Sequence, residues 1–160
     1  MSISSFLAGE TIAAGDVVYV DSTGLLHKAI ALSLHQAAAV GISIDSGTAG
    51  SLLRVNEDFT YSGLSGLVPG EYQYVSAITS GQLQNYTTFI NDISLTSLSP
   101  IYLSIVGRAI STTSVEVERS KPIFISNPSP LSLLLLETST VFVLDAILQE
   151  DGSTIDLETV

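Results

Sequence analysis

Short runs of Val, Ile, Leu, Tyr and Thr recur along this chain, broken by Gly, Asp, Asn, Ser and Pro. The spacing, about 8 to 12 residues, is the cadence of a β-sandwich or barrel. The pattern predicts strands near 17–20, 25–30, 39–45, 52–56, 72–78, 101–111, 115–118, 123–126, 132–137, 140–148 and 154–157. Between them lie stretches with turn chemistry: Asp21-Ser22-Thr23-Gly24, Ser46 to Gly50, Val68-Pro69-Gly70 and Asp151-Gly152. Gly supplies positive φ at such corners and Pro presets φ. The expected fold class is all-β, an antiparallel β-barrel or sandwich with a C-terminal extension of strands.

Two stretches complicate the pattern. Ala29 to Val40 contains good helix formers, yet Ile30, Leu32 and Leu34 alternate as in a strand. The reading is a strand, a loop or single helical turn near Ser33–Ala38, and a strand from Ala39. Elsewhere, Val40-Gly41-Ile42-Ser43-Ile44 and Val106-Gly107-Arg108-Ala109-Ile110 share a Val-Gly-x-small-Ile phrase. Glycine inside a strand marks a bulge or a close backbone approach. The echo reads either as two independent bulges or as pseudo-symmetric strands packed against each other.

Length and composition narrow the picture. A chain of 160 residues fits one domain, or one domain with a tail, and buries enough surface to stand without metal or disulfide. It has no cysteine, so disulfide staples and thiolate chemistry are excluded. With 5 basic against 16 acidic residues the net charge is −11, which argues against nucleic-acid binding and against anionic membranes. Only 13% of residues are charged while 46% are apolar, a balance that favours a protein burying further surface against partners. The N-terminus has no basic region before its short apolar stretch, so no export signal is predicted, and the run Leu133 to Leu136 is too short to span a bilayer.

Proline-bracketed stretches at Lys121-Pro122 and Asn127-Pro128-Ser129-Pro130 suggest a boundary. Residues 1–120 are read as a β-rich module with an N-terminal arm over 1–7. Residues 121–160 are read as an extension docked on its own or a neighbouring subunit, because a free tail this apolar would aggregate.

The motifs of catalysis are missing. No Gly-Lys pair exists for a phosphate loop, and Gly63-Leu64-Ser65-Gly66 breaks the spacing of a nucleophile elbow. His27 and His35 are read as surface or interface residues. Asp21 to Gly24 and Glu150 to Ser153 carry oxygen ligands near turns but lack the alternating acids of a calcium loop. Glu116 and Glu118 share a strand face and Glu57-Asp58 adjoin, arrangements that suit solvated strand edges better than glycoside hydrolysis. Tyr72, Tyr74, Tyr86 and Tyr102 are read as core or interface packing rather than a stacking platform for sugars or bases. The expectation is no catalytic, cofactor or metal site.

Four phrases do carry a resemblance. They are Ala8 to Tyr19 (A-G-x-x-I-x-x-G-D-x-V-Y), Val40 to Ser43 (V-G-I-x), Pro69 to Ser76 (P-G-E-Y-Q-Y-V-S) and Val106 to Ser111 (V-G-x-A-I-S). In order and spacing they resemble the capsid decoration (cement) proteins of tailed bacteriophages, over roughly residues 8–118. Departures are a longer loop expected over Asn85–Pro100 and the added C-terminal segment. The resemblance implies a β-barrel or sandwich, usually trimeric, bound outside the major capsid protein lattice and stabilising the head against packaged DNA. The implied role is structural, not enzymatic, with the virion exterior as location after assembly in the host cytoplasm. Expected partners are the major capsid protein and two further copies in a homotrimer, with neither nucleic acid nor membrane. Candidate interface residues are Ile3, Phe6, Leu133, Leu134, Leu135, Leu136 and Phe142. A second reading is the β-module of a tail or head fibre that recognises host glycans through its Tyr-rich strands and the 85–100 loop.

Overall fold

Residues 2–96 and 101–125 are described by the structure, a computed structural model. In chain order the elements are β1 (Ile3–Leu7), β2 (Val17–Val20), β3 (Leu26–Lys28), β4 (Gly41–Ser43), β5 (Leu52–Asn56), β6 (Thr60–Ser62), β7 (Tyr72–Val75), β8 (Leu83–Asn85), α1 (Tyr86–Thr96), β9 (Ile101–Leu103), β10 (Ile105–Ala109), β11 (Ser114–Val117) and β12 (Ile123–Ile125). The protein is mostly β, with antiparallel sheets that do not close into a barrel, consistent with a sandwich. The strands expected near 132–137, 140–148 and 154–157 lie outside the described residues.

Among the described residues, two five-stranded sheets carry the fold, ordered β1-β5-β4-β2-β3 and β6-β11-β10-β7-β8, and a two-stranded sheet pairs β12 with β9. Renumbered within each sheet, both orders read 1-5-4-2-3. The same arrangement is therefore built twice, with α1 and β9 inserted into the second copy between its third and fourth strands. We call residues 3–56 and 60–117 the first and second repeat.

Backbone detail follows the duplication. Gly15-Asp16 and Gly70-Glu71 lead into β2 and β7 with glycine φ of +96° and +92°. Gly15 N donates to Ser43 O at 2.8 Å and Gly70 N to Ala109 O at 2.7 Å, while Ser43 N returns a bond to Asp16 O and Ala109 N to Glu71 O, both at 2.9 Å. Val20 pairs with Leu26 across the first hairpin, and Val75 with Leu83 across the second. The echoed glycines, Gly41 and Gly107, occupy the matching fourth strands. Of the two readings left open for that echo, the strand order favours pseudo-symmetry, and Ile42 and Val106 share one core cluster.

Side-chain alternation divides the apolar residues of the first sheet. Val17, Tyr19 and Ile42 face a large cluster shared with Val75, Val106, Val115 and Tyr74 of the second sheet. Val18, Leu53 and Val55 face the opposite way, into a smaller cluster closed by Ala8 and Ile12. The repeats also join through backbone: Val17 N donates to Gly81 O and Gly81 N to Ala29 O, both at 2.8 Å.

Three sequence expectations are corrected. The arm over 1–7 is, from Ile3 to Leu7, an edge strand in register with Asn56 to Leu52. The loop over 85–100 is largely α1, capped by Asn85 Oδ1, which accepts from Thr88 N at 2.9 Å, and anchored by buried Phe89 and Ile93. Residues 101–111 are two strands rather than one: the chain leaves the β12–β9 ribbon at Ser104 and joins β7 and β11 as β10. Residues 33–38 form the expected turn, Ala37 N bonding Ser33 O at 2.9 Å. Ile123–Ile125, assigned to the extension, pair with Ile101–Leu103.

Candidate interaction surfaces

Strand β1 presents two unlike faces. Ser4 and Phe6 lie on the side of Val55 and Leu53, and Phe6 is half-buried against the cluster of Ala8, Ile12 and Val18. Ile3, Ser5 and Leu7 lie on the other side, opposite Asn56, Arg54 and Leu52. Ile3, Leu7 and Leu52 are exposed, so Leu7 and Leu52 form an outward apolar pair at one end of a sheet edge. The strand itself, Ile-Ser-Ser-Phe-Leu, carries no charge, no proline and no bulge, the devices that normally discourage edge pairing. Of the candidate interface residues, Ile3 is thus on the surface and Phe6 is turned inward. Leu133, Leu134, Leu135, Leu136 and Phe142 lie outside the described residues.

A second apolar surface lies on β12, where Ile123 and Phe124 are exposed and the Phe124 ring meets Tyr102 edge-on, with centroids 5.6 Å apart. A third surrounds Arg108 on the second repeat. Tyr72 lies opposite Arg108 in register, and its ring centroid is 6.0 Å from the guanidinium carbon. Arg108 Nε donates to Gly70 O at 3.0 Å. Val68, Tyr86 and Ile110 of the same repeat are exposed as well. Of the four tyrosines read as packing, Tyr72 and Tyr86 are exposed and Tyr74 lies between them and the core. Tyr74 is buried beneath Tyr86 and Phe89, and burial first, then Tyr86 and Tyr72, raises its hydroxyl pKa. Tyr102 belongs to the β12 surface.

The polar candidates fall in two places. Glu57, Asp58, Glu116 and Glu118 line a groove of about 730 Å3 together with Arg119 and Lys121. Arg119 Nη2 stands 3.7 Å from the Glu57 carboxylate and its Nε donates to Glu57 O at 2.9 Å, while Asp58 accepts from Ser2 N. His27 lies between two carboxylates, Nε2 at 3.2 Å from Asp21 and Nδ1 at 3.6 Å from Glu10. Both ring nitrogens thus face acids. His35 meets the Tyr19 ring edge-on at 5.6 Å. The Asp21 carboxyl falls to about 2, held chiefly by the Thr23 hydroxyl and by Leu25 N, which makes it the pivot of the β2–β3 turn. Among the described residues no three His, Asp or Glu side chains gather as a metal site requires, and no helix is long and apolar enough to cross a membrane.

Sequence reasoning missed the Arg108 surface, although the Gly41/Gly107 echo pointed to its strand. No family model matches this chain, and no curated protein matches it.

Proposed function

We propose that this protein is a capsid decoration protein of a tailed bacteriophage. It binds the outside of the major capsid protein lattice as a homotrimer and braces the head against internal DNA pressure. The observation that carries the reading is where the four resembling phrases fall. They supply the start and body of β2, all of β4, the turn and body of β7, and β10. These are adjacent inner strands, β4 beside β2 and β10 beside β7, in the two sheets. A resemblance confined to turns would have scattered to the periphery. The net charge of −11 and the exposed apolar β1 and β12 surfaces support the reading, because the protein needs binding area and a soluble outer face rather than a reaction centre.

Uncharged β1, with Ile3, Leu7 and Leu52, is the proposed shell-facing edge. Residues 128–160, with Leu133 to Leu136 and Phe142, are proposed to reach across a neighbouring subunit or the capsid. Binding at many equivalent sites makes modest individual contacts sufficient. The test is co-sedimentation of the purified protein with empty heads of the phage that encodes it. Saturable binding is expected, weakened by Leu7→Asp or by deletion of 128–160, together with greater resistance of decorated heads to heat. Absence of binding to heads overturns the proposal.

The fibre reading, glycan recognition, leaned on an extended loop over 85–100. Residues 86–96 form a helix anchored in the core by Phe89 and Ile93, and this favours the decoration reading over a loop-borne glycan platform. Glycan-array binding by the isolated protein is the result that would revive it.

A further inference from the structure

We infer that the surface around Tyr72 and Arg108 is where a second copy of this chain docks, through its Asp21–Leu25 turn. The argument starts from the duplication. In the first repeat the register pair Val17 and Ile42, next to Gly41, is fully buried, at 0% exposure each. What buries it is the second repeat, whose hairpin turn bonds the strand at Val17 N and Ala29 O through Gly81. The second repeat owns the same register pair: Tyr72 and Arg108, next to Gly107. There Tyr72 is 44% exposed and Arg108 lies open as well. One repeat thus has its outer face covered by the next, and the next has the equivalent face uncovered.

The turn that would cover it also exists in duplicate. The Ser76–Gln82 turn docks onto the first repeat; its counterpart, Asp21–Leu25, closes the β2–β3 hairpin with the same kind of glycine, Gly24 at φ +86° against Gly81 at +82°. Gly81 abuts Asp16 and Lys28 of the first repeat, whereas Gly24 has open space around it. A free turn and an open face, each matching one half of an interface already built inside the chain, are complementary only between copies.

The substitutions at the open face fit a contact between copies rather than a permanent core. Ile42 is replaced by Arg108, whose guanidinium forms no ion pair among the described residues, and Val17 by an exposed tyrosine; Tyr and Arg are the residues that anchor separable interfaces. The approaching turn carries Asp21, whose carboxylate is held within its own copy by Thr23, Leu25 N and His27, and Arg108 stands opposite Glu116 in register, so the contact rests on the matching turn and face rather than on a new ion pair. Helix α1 covers only the neighbouring part of the face, over Tyr74. A turn of one copy on the face of the next is a heterologous contact, which yields a ring where the rotation closes and a chain of subunits where it does not.

The inference stands on the duplication, so a protein indifferent to phage heads leaves it intact. Sedimentation equilibrium of the full chain is expected to show self-association. Arg108→Glu and Tyr72→Ala should each raise the dissociation constant about tenfold or more. Both side chains are exposed, so circular dichroism and melting should stay at wild-type values. The cysteine-free background permits a direct check. Thr23→Cys mixed with Tyr72→Cys should form a disulfide-linked heterodimer, and Thr23→Cys mixed with Thr48→Cys, on a distant exposed turn, should not. A monomer at every concentration, association indifferent to both substitutions, or equal cross-linking with the control overturns the inference. Glycan binding lost on Tyr72→Ala in a strictly monomeric protein would assign the face to sugar instead.

Discussion

Gly41 and Gly107 stand at matching points of the two repeats: a Cβ on either would lie 2.1 Å from a carbonyl oxygen of the adjoining strand, Asn56 O for the first and Glu116 O for the second. The obstacle is backbone, so it cannot swing aside. Gly41→Ala and Gly107→Ala are each expected to destabilise the fold by about 3 kcal/mol, the upper range for overpacking. Urea unfolding followed by tyrosine fluorescence measures this, and Gly24→Ala, in open space but at positive φ, should cost only about 1 kcal/mol. Equal losses at all three positions would contradict the close-approach explanation.

Ser104 marks the point where the chain changes sheets, and its Oγ is buried without a hydrogen-bond partner among the described residues. An unsatisfied buried hydroxyl costs about 1–3 kcal/mol, so Ser104→Ala should raise the urea midpoint, with a gain of about 1 kcal/mol. A loss of stability would mean that the hydroxyl has an ordered partner.

Helix α1 depends on its cap. Asn85→Ala removes the bond from Thr88 N and should cost about 1 kcal/mol, while Asn85→Asp keeps the cap but sets a second carboxylate against Glu71, which accepts from Asn85 Nδ2 at 3.1 Å, and should recover only part of the loss. Phe89→Ala, which empties a fully buried site against Tyr74, should cost about 3–5 kcal/mol. Both are read by thermal melts, and the order of the two losses is the check.

Acid should loosen the first sheet at a defined place. The Arg54 guanidinium, 2.7 Å from Asp45 Oδ1, holds that carboxyl at about 2 against an ordinary 3.8. Because the folded-state value is the lower one, the contribution is present above about pH 4 and fades as pH falls toward 2. Asp45→Asn is therefore expected to flatten part of the decline in urea midpoint between pH 4 and pH 2. The pair is solvent-screened, so the change is small, and an unaltered slope would place the acid sensitivity elsewhere.

Most of the strands were legible because their residues alternate between two sides and end in turn chemistry, as at Val17–Val20 and Leu52–Asn56. Helix α1 was hidden by Thr87, Thr88, Ile90 and Ile93, β-branched residues with weak helix propensity. The signals that outweigh them are the Asn85 cap and the four-residue spacing of Phe89 and Ile93, which seats one helix face on Tyr74. Strand β1 was masked by Ser4 and Ser5, since an edge strand tolerates polar residues on either side. At the candidate surfaces, Ile3 was legible as an exposed apolar residue, but Phe6 was not distinguishable from it before pairing with β5 fixed which side each faces. The duplication was half visible. Gly41 and Gly107 announced it, while Gly15-Asp16-x-x-Tyr19-Val20 against Gly70-Glu71-x-x-Tyr74-Val75 went unread because Val17 and Val18 became Tyr72 and Gln73.

A polypeptide that writes one strand order twice gives each newly made hairpin two look-alike neighbours, and tandem look-alikes tend to exchange partners between molecules while they fold. The inserted helix breaks that ambiguity. Only the second copy has a connector that buries Phe89 and Ile93 in the core, so the insertion acts as an address label telling the halves apart. Shortening it to the length of the 29–40 connector removes buried Phe89 and Ile93, and should both destabilise the fold and turn a uniform preparation into a mixture of swapped assemblies.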